Sequence, residues 1–164
     1  MTVVVADTSP INYLVLIGEI GILPRLYNHI LIPEEVFFEL MDAGAPLEVR
    51  DWTTRHPIWL EIRKSPLLDT SLMDLDAGER SAIALAELET QVLLLIDESA
   101  GRLEASRRGI PNTGTLGVLR AAAIDGLVNL PSALGRLLAT NFRVSKALVA
   151  DLLAEDADRK QRGQ

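Results

Sequence analysis

Two aspartates, Asp7 and Asp97, each end a run too apolar to be anything but a buried strand: Asp7 follows Val3-Val4-Val5-Ala6, and Asp97 follows Val92-Leu93-Leu94-Leu95-Ile96. In open α/β sheets, ligands collect at the carboxyl ends of the strands. A charge placed there is either held by amides of the following helix or used on a ligand. Capping accounts for either aspartate taken singly, but Ser9 and Ser99 already stand nearby as alternative caps. Glu79 is a third candidate. It follows Asp76 at the capping-box spacing, Asp76-Ala77-Gly78-Glu79, so bonding back to the cap competes with facing the strand ends. Glu39, after Phe37-Phe38 and four residues from Glu35, has the pattern of a solvated helix face. Glu98 directly follows Asp97 and points elsewhere on the strand.

Gathering carboxylates in this way serves metal chemistry. Magnesium and manganese prefer oxygen ligands, and a site built on few carboxylates keeps water in reach. One ion activates a water as nucleophile, and a second stabilises the leaving oxygen of a phosphodiester. Without a cation, acids this crowded repel one another and some of their pKa values rise. The formal charge of −7 fits this reading better than it fits backbone neutralisation by a basic protein. A polyanion would have to be met by a local basic patch or by bound cations.

Positioning these acids requires strands alternating with helices. Residues 2–6, 29–32, 59–63 and 92–97 read as strands, and 109–111 as a brief return to the sheet. Helices are expected at 10–17, at 18–27 with a break around Pro24, and at 33–41, 76–88, 99–108, 115–124, 131–138 and 146–153, the last capped by Ser145. The polar stretch 42–57 reads as a turn and a peripheral helix. This βα alternation predicts one α/β domain over residues 1–156 with a mostly parallel sheet, followed by a polar tail at 157–164. With 164 residues, 48% of them hydrophobic, the chain can bury a substantial core. It has no cysteine, which excludes a disulfide scaffold, a zinc knuckle and a thiol nucleophile. Its start lacks a basic leader and its apolar runs are too short to span a membrane, so a cytoplasmic location is expected.

The segments ADTSPINYL, LIPEEVFFEL, LDAGERSAIALA, LLLIDESAGRLEASRRGIPNTGTLGVL and AAIDGLV, in that order, resemble the PIN-domain family. More closely, they resemble its uncharacterised subgroup related to VapC-type toxins. The resemblance implies a three-layer α/β/α domain that cleaves RNA with Mg²⁺ or Mn²⁺, often as the toxin of a toxin–antitoxin pair. Carried over by position, Asp7, Glu39, Glu79 and Asp97 are the candidate catalytic acids, with Asp7, Glu79 and Asp97 as metal ligands. Thr8 or Ser9 matches the hydroxyl that supports the first acid or a metal-bound water, and Thr115 the small polar position opening the helix after Gly114; with Glu98 these are the residues expected around the bound cofactor. The other reading of Thr115 is an N-cap. Glutamate at 79 departs from the aspartate common in PIN nucleases, and Glu98 stands beside Asp97, which leaves open which of the two faces the metal.

The expected partners are RNA, an antitoxin protein and a second copy of the chain. The homodimer is implied by the resemblance, since PIN proteins dimerise, and fits the apolar residues Ile11, Leu14, Val15, Ile20, Ile22 and Leu23, which either exceed one core or simply fill it. Arg102, Arg107 and Arg108 are the one basic group, read as phosphate contacts or a solvated face. The few aromatics form no interleaved platform for base stacking, which argues against sequence-specific reading of bases and leaves recognition of structured RNA by shape. Two other functions compete. A phosphatase of the haloacid dehalogenase type would need an acid at position 9, where Ser9 stands, and a strand-end lysine, which Lys64, Lys146 and Lys160 do not supply. A catalytically degenerate PIN-like module would keep the fold without needing all four acids.

Overall fold

Valine and leucine runs without polar interruption need burial on both faces, and the central strands have it. The computed structural model describes residues 1–66, 72 and 74–163. Five parallel strands, β1 (Val3–Ala6), β2 (Ile30–Pro33), β3 (Leu60–Arg63), β4 (Val92–Leu95) and β5 (Asn112–Thr113), lie in the order β3-β2-β1-β4-β5. The helices are α1 (Thr8–Leu16), α2 (Ile22–Tyr27), α3 (Glu34–Met41), α4 (Leu47–Thr54), α5 (Ala77–Ala86), α6 (Ser99–Arg107), α7 (Thr115–Ile124), α8 (Leu130–Leu138) and α9 (Lys146–Gln161). They cover both faces of the sheet, giving the three-layer α/β/α architecture.

Strand alternation divides the core in two. Val4, Ala6, Ile30, Ile32 and Leu95 point into the larger half, against residues of α1 to α4 and α7 to α9. Val5, Leu31, Leu94 and Ile96 point into the smaller half, against α5 and α6. β1 is central, and its register Val3↔Val92 through Ala6↔Leu95 brings the carboxyl ends of β1 and β4 side by side.

Several element ends differ from the sequence expectation. α2 is continuous because Pro24 falls in its first turn, where no intrahelical N–H is needed. β5 begins after Pro111, which has no N–H to give to the ladder. α9 continues through position 157, the expected start of the polar tail, to Gln161. Asp156, buried, accepts from Arg159 at 2.8 Å and lies 2.8 Å from Lys160 Nζ. Ser145 caps α9 as expected, accepting the Leu148 N–H at 3.1 Å. Ile11, Leu14, Ile22 and Leu23 are buried in the larger core, with Val15 and Ile20 packed against it. The core of one chain takes up four of these six residues fully and the other two in part. Among the described residues, no helix is long and apolar enough to cross a membrane.

Candidate active site

Asp7 sits in the junction between β1 and α1. Its N–H continues the ladder by donating to the Leu95 carbonyl at 2.9 Å. It occupies the N-cap position of α1, yet its side chain makes no capping hydrogen bond. Its only contact with the helix amides is the adjoining Thr8 N–H, not the N-cap bond to the second or third helical N–H. The residue is only 4% exposed, and among the described residues its Oδ1 has no hydrogen-bond partner. Burial pushes its carboxyl well above the ordinary range. A hydrogen bond from the Thr8 N–H opposes that shift, while Asp76, Glu79 and Glu39 add repulsion.

Glu39, on a solvated face by its pattern and a catalytic acid by resemblance, is half-buried and turned toward Thr8 at the start of α1. It accepts hydrogen bonds from the Thr8 hydroxyl and the Gly78 N–H. Its pKa is raised, chiefly by burial, with the Thr8 hydroxyl opposing the shift and Asp76 and Glu35 adding to it. Thr8 is thus the hydroxyl that orients an acid of the group, and the acid is Glu39.

At the start of α5 the capping box is complete. Asp76 Oδ1 accepts the Glu79 N–H at 2.8 Å, and Glu79 Oε1 accepts the Asp76 N–H at 3.2 Å. The two roles foreseen for Glu79 are not exclusive, because its carboxylate has a second oxygen. Oε2 is buried and has no hydrogen-bond partner among the described residues. Burial, with added repulsion from Asp76 and Glu98 and an opposing bond from the Asp76 N–H, pushes the Glu79 carboxyl up to about 7.

Among the described residues, Asp7, Glu39 and Asp76 each place a carboxylate oxygen within 4.8 Å of the others. Asp76 was not among the sequence candidates, because capping explained it fully. No signal in the sequence singles it out; its place at the strand ends emerges only in the fold. Neither Glu79 nor Asp97 belongs to that tight group, although Glu79 is close enough to repel Asp7.

Asp97 lies on the other side. It does not cap α6, whose N-cap position is taken by the exposed Glu98 without a side-chain bond. It accepts the Thr115 N–H at 2.6 Å and the Thr115 hydroxyl at 2.7 Å, which seats it on the amino end of α7. Thr115 is the first helical residue, not the N-cap; Gly114 holds that position. Strand alternation explains the split. Asp7 continues the face of Val5, toward α5, whereas Asp97 continues the face of Leu95, toward α7. Asp97, Glu98 and Ser9 line a cavity of about 400 Å³ with Tyr13, Phe142 and Arg143. Asp97 also lines a second cavity, about 360 Å³, with Arg102, Arg120 and Arg143. Of the basic group noted in the sequence, Arg108 is tied to Glu104 and Glu87, and Arg107 lies 3.9 Å from Glu104. Only Arg102 reaches the cavity beside Asp97.

The donor set is oxygen alone, hard and anionic, with two buried carboxylate oxygens lacking partners among the described residues. Such a set suits a divalent cation that takes oxygen ligands, and it suits neither a soft metal nor an anion. A family model described as a PIN domain matches residues 3–157. No curated protein matches the chain significantly.

Proposed function

The chain belongs to the PIN-domain family, and from that premise we propose that it is a Mg²⁺- or Mn²⁺-dependent endoribonuclease. The observation that carries the proposal is Asp7, a buried carboxylate that caps no helix and has like-charged neighbours in Glu39, Asp76 and Glu79. A protein gains nothing in stability from that arrangement, so a cation is its physical rationale.

Asp7, Glu39 and Asp76 are the residues that would hold the ion. A divalent ion there supplies charge neutralisation at a phosphodiester and acidification of a water nucleophile. The chain's own part is positioning. Thr8 fixes Glu39, the capping box fixes Asp76 and Glu79, and Thr115 fixes Asp97. Arg102 and Arg143, both exposed around the cavity beside Asp97, can hold flanking phosphates that the acidic group would repel. They answer the difficulty raised by the net charge of −7, since the cations need only be local. We further propose that the nuclease is the toxin of a toxin–antitoxin pair, in keeping with the sequence resemblance to VapC-type proteins; its partner would be an antitoxin.

The test is cleavage of a broad set of RNAs in Mg²⁺ or Mn²⁺, with isothermal titration of Mn²⁺ alongside. Wild type should cleave only with the ion present, and Asp7→Asn should be slower by about 100-fold or more. Absence of cleavage together with absence of Mn²⁺ binding would overturn the reading and leave a non-catalytic module.

A further inference from the structure

Beside the carboxylates lies a cavity of about 640 Å³, with Thr8 and Glu39 on its inner wall. It falls within the roughly 300–1,000 Å³ range of small-ligand sites. Phe38, on the outer wall, is 63% exposed. A large aromatic ring left this open beside a polar cluster has no role in the core. The ring is nonetheless held in place, because it meets Phe37 edge-on at 5.9 Å, and Phe37 meets His56 in the same way at 6.1 Å.

The charged groups around the cavity are of one sign. Asn12, Glu35, Glu39 and Asp42 line it, and no lysine or arginine does so among the described residues. Glu35 already accepts from the Ser65 hydroxyl at 3.0 and 3.2 Å, and Asp42 from the Gly44 N–H at 2.8 Å. Each carboxylate keeps further acceptor capacity. A phosphate would be repelled here. A flat, neutral group with N–H donors on its edge would be stacked and hydrogen-bonded at once. The opposite side of the site, around Asp97, is the side with arginines.

We infer that this cavity is a nucleobase subsite, in which Phe38 stacks an unpaired base next to the bond being cleaved. The inference rests on the nuclease reading and adds to it a site for the base beside the cleaved bond. The cavity favours a base with adjacent N–H donors, guanine foremost, because two parallel donors match one carboxylate. A base engaged on that edge cannot also be paired, so duplex is rejected. The arginine-lined side takes the neighbouring phosphates, which gives the bound strand a direction across the site.

The test is fluorescence anisotropy of end-labelled oligoribonucleotides, with Ca²⁺ present to screen the carboxylates. Probes are single strands carrying guanine, uracil or an abasic site centrally, and a duplex. Wild type should bind the guanine strand best and the abasic strand and duplex worst. Phe38→Ala should weaken the guanine strand roughly tenfold or more and leave the abasic strand unchanged, while Phe38→Trp retains binding. Equal binding of all strands by wild type and Phe38→Ala, or no binding of any strand by wild type, would overturn the inference. The nuclease reading is judged separately, by whether wild type cleaves RNA in Mg²⁺ or Mn²⁺. Cleavage with an unchanged KM in Phe38→Ala would keep the nuclease and remove the subsite.

Discussion

Glu39 reaches the acidic group only because residue 78 has no side chain. A Cβ at Gly78 would stand 2.5 Å from Glu39 Oε1 and 2.8 Å from Oε2. Helix propensity alone favours alanine over glycine within α5, by up to ~1 kcal/mol. In Gly78→Ala the close contact should win. The Glu39 carboxylate must swing away, losing the Gly78 N–H and its place beside Asp7 and Asp76. The variant should show no gain in melting temperature and Mn²⁺ binding weaker by about tenfold, since that is the effect of about 1.4 kcal/mol. Gly135 in α8 is the control, because a Cβ there meets nothing within 4 Å. Gly135→Ala should stabilise the protein by ~0.5–1 kcal/mol with Mn²⁺ affinity unchanged. Thermal melts and calorimetric titration of both variants separate the outcomes, and a stabilised Gly78→Ala with full affinity would show that Glu39 is not a ligand.

At the scale of elements, the amino end of α5 joins two functions in one motif. Asp76 caps the helix and also offers an oxygen to the group with Asp7 and Glu39. Substitution can part the two. Asp76→Asn keeps a capping oxygen and should lose only a few tenths of a kcal/mol, whereas Asp76→Ala should lose ~1 kcal/mol. Both should bind Mn²⁺ more weakly than wild type. If Asp76→Asn binds the ion as well as wild type, Asp76 is a cap alone. This doubling also explains what the sequence could and could not reveal. The strands and the positions of Asp7 and Asp97 are legible, because a short uninterrupted apolar run has one fate in an α/β domain and an acid at its end stands out. Asp76 is not legible, since a capping box satisfies every local reason for its presence. Glu39 misleads for a similar reason. Its i, i+4 pattern with Glu35 describes an isolated helix, while its burial comes from Thr8 and Gly78, 31 and 39 positions away. Of the cavity arginines only Arg102 is legible; Arg120 of α7 and Arg143, between α8 and α9, are hidden by distance and join it only in the fold. The extension of α9 past position 157 escaped a reading based on apolar periodicity because ion pairs such as those on Asp156 support it.

For the molecule as a whole, the acidic group makes ion-free stability depend on pH in a direction opposite to that of an ordinary paired carboxylate. Asp7, Glu39 and Glu79 all have folded pKa values raised above their usual ones, Glu79 to about 7 from 4.5. The folded state therefore binds more protons than the unfolded chain between those values, and stability falls as pH rises. The contribution of Glu79 is fully present below about 4.5 and is lost as pH climbs through about 7. In EDTA, the melting temperature should thus decline between about pH 5 and 7.5. Mn²⁺ should reverse most of the decline at the upper end and do little at the lower, because protons and cation compete for the same oxygens. Asp7→Asn removes one buried charge and its repulsion of the others, so it should melt higher than wild type in EDTA at about pH 7.5 and show a shallower slope. Differential scanning calorimetry with and without Mn²⁺ across this range is the direct measurement. A wild-type melting temperature that rises with pH in EDTA, or a Mn²⁺ effect equal at both ends, would mean that these carboxylates are not held together in solution. A protein that is less stable at neutral pH until a cation arrives has put binding ahead of stability at the carboxyl end of its central strand.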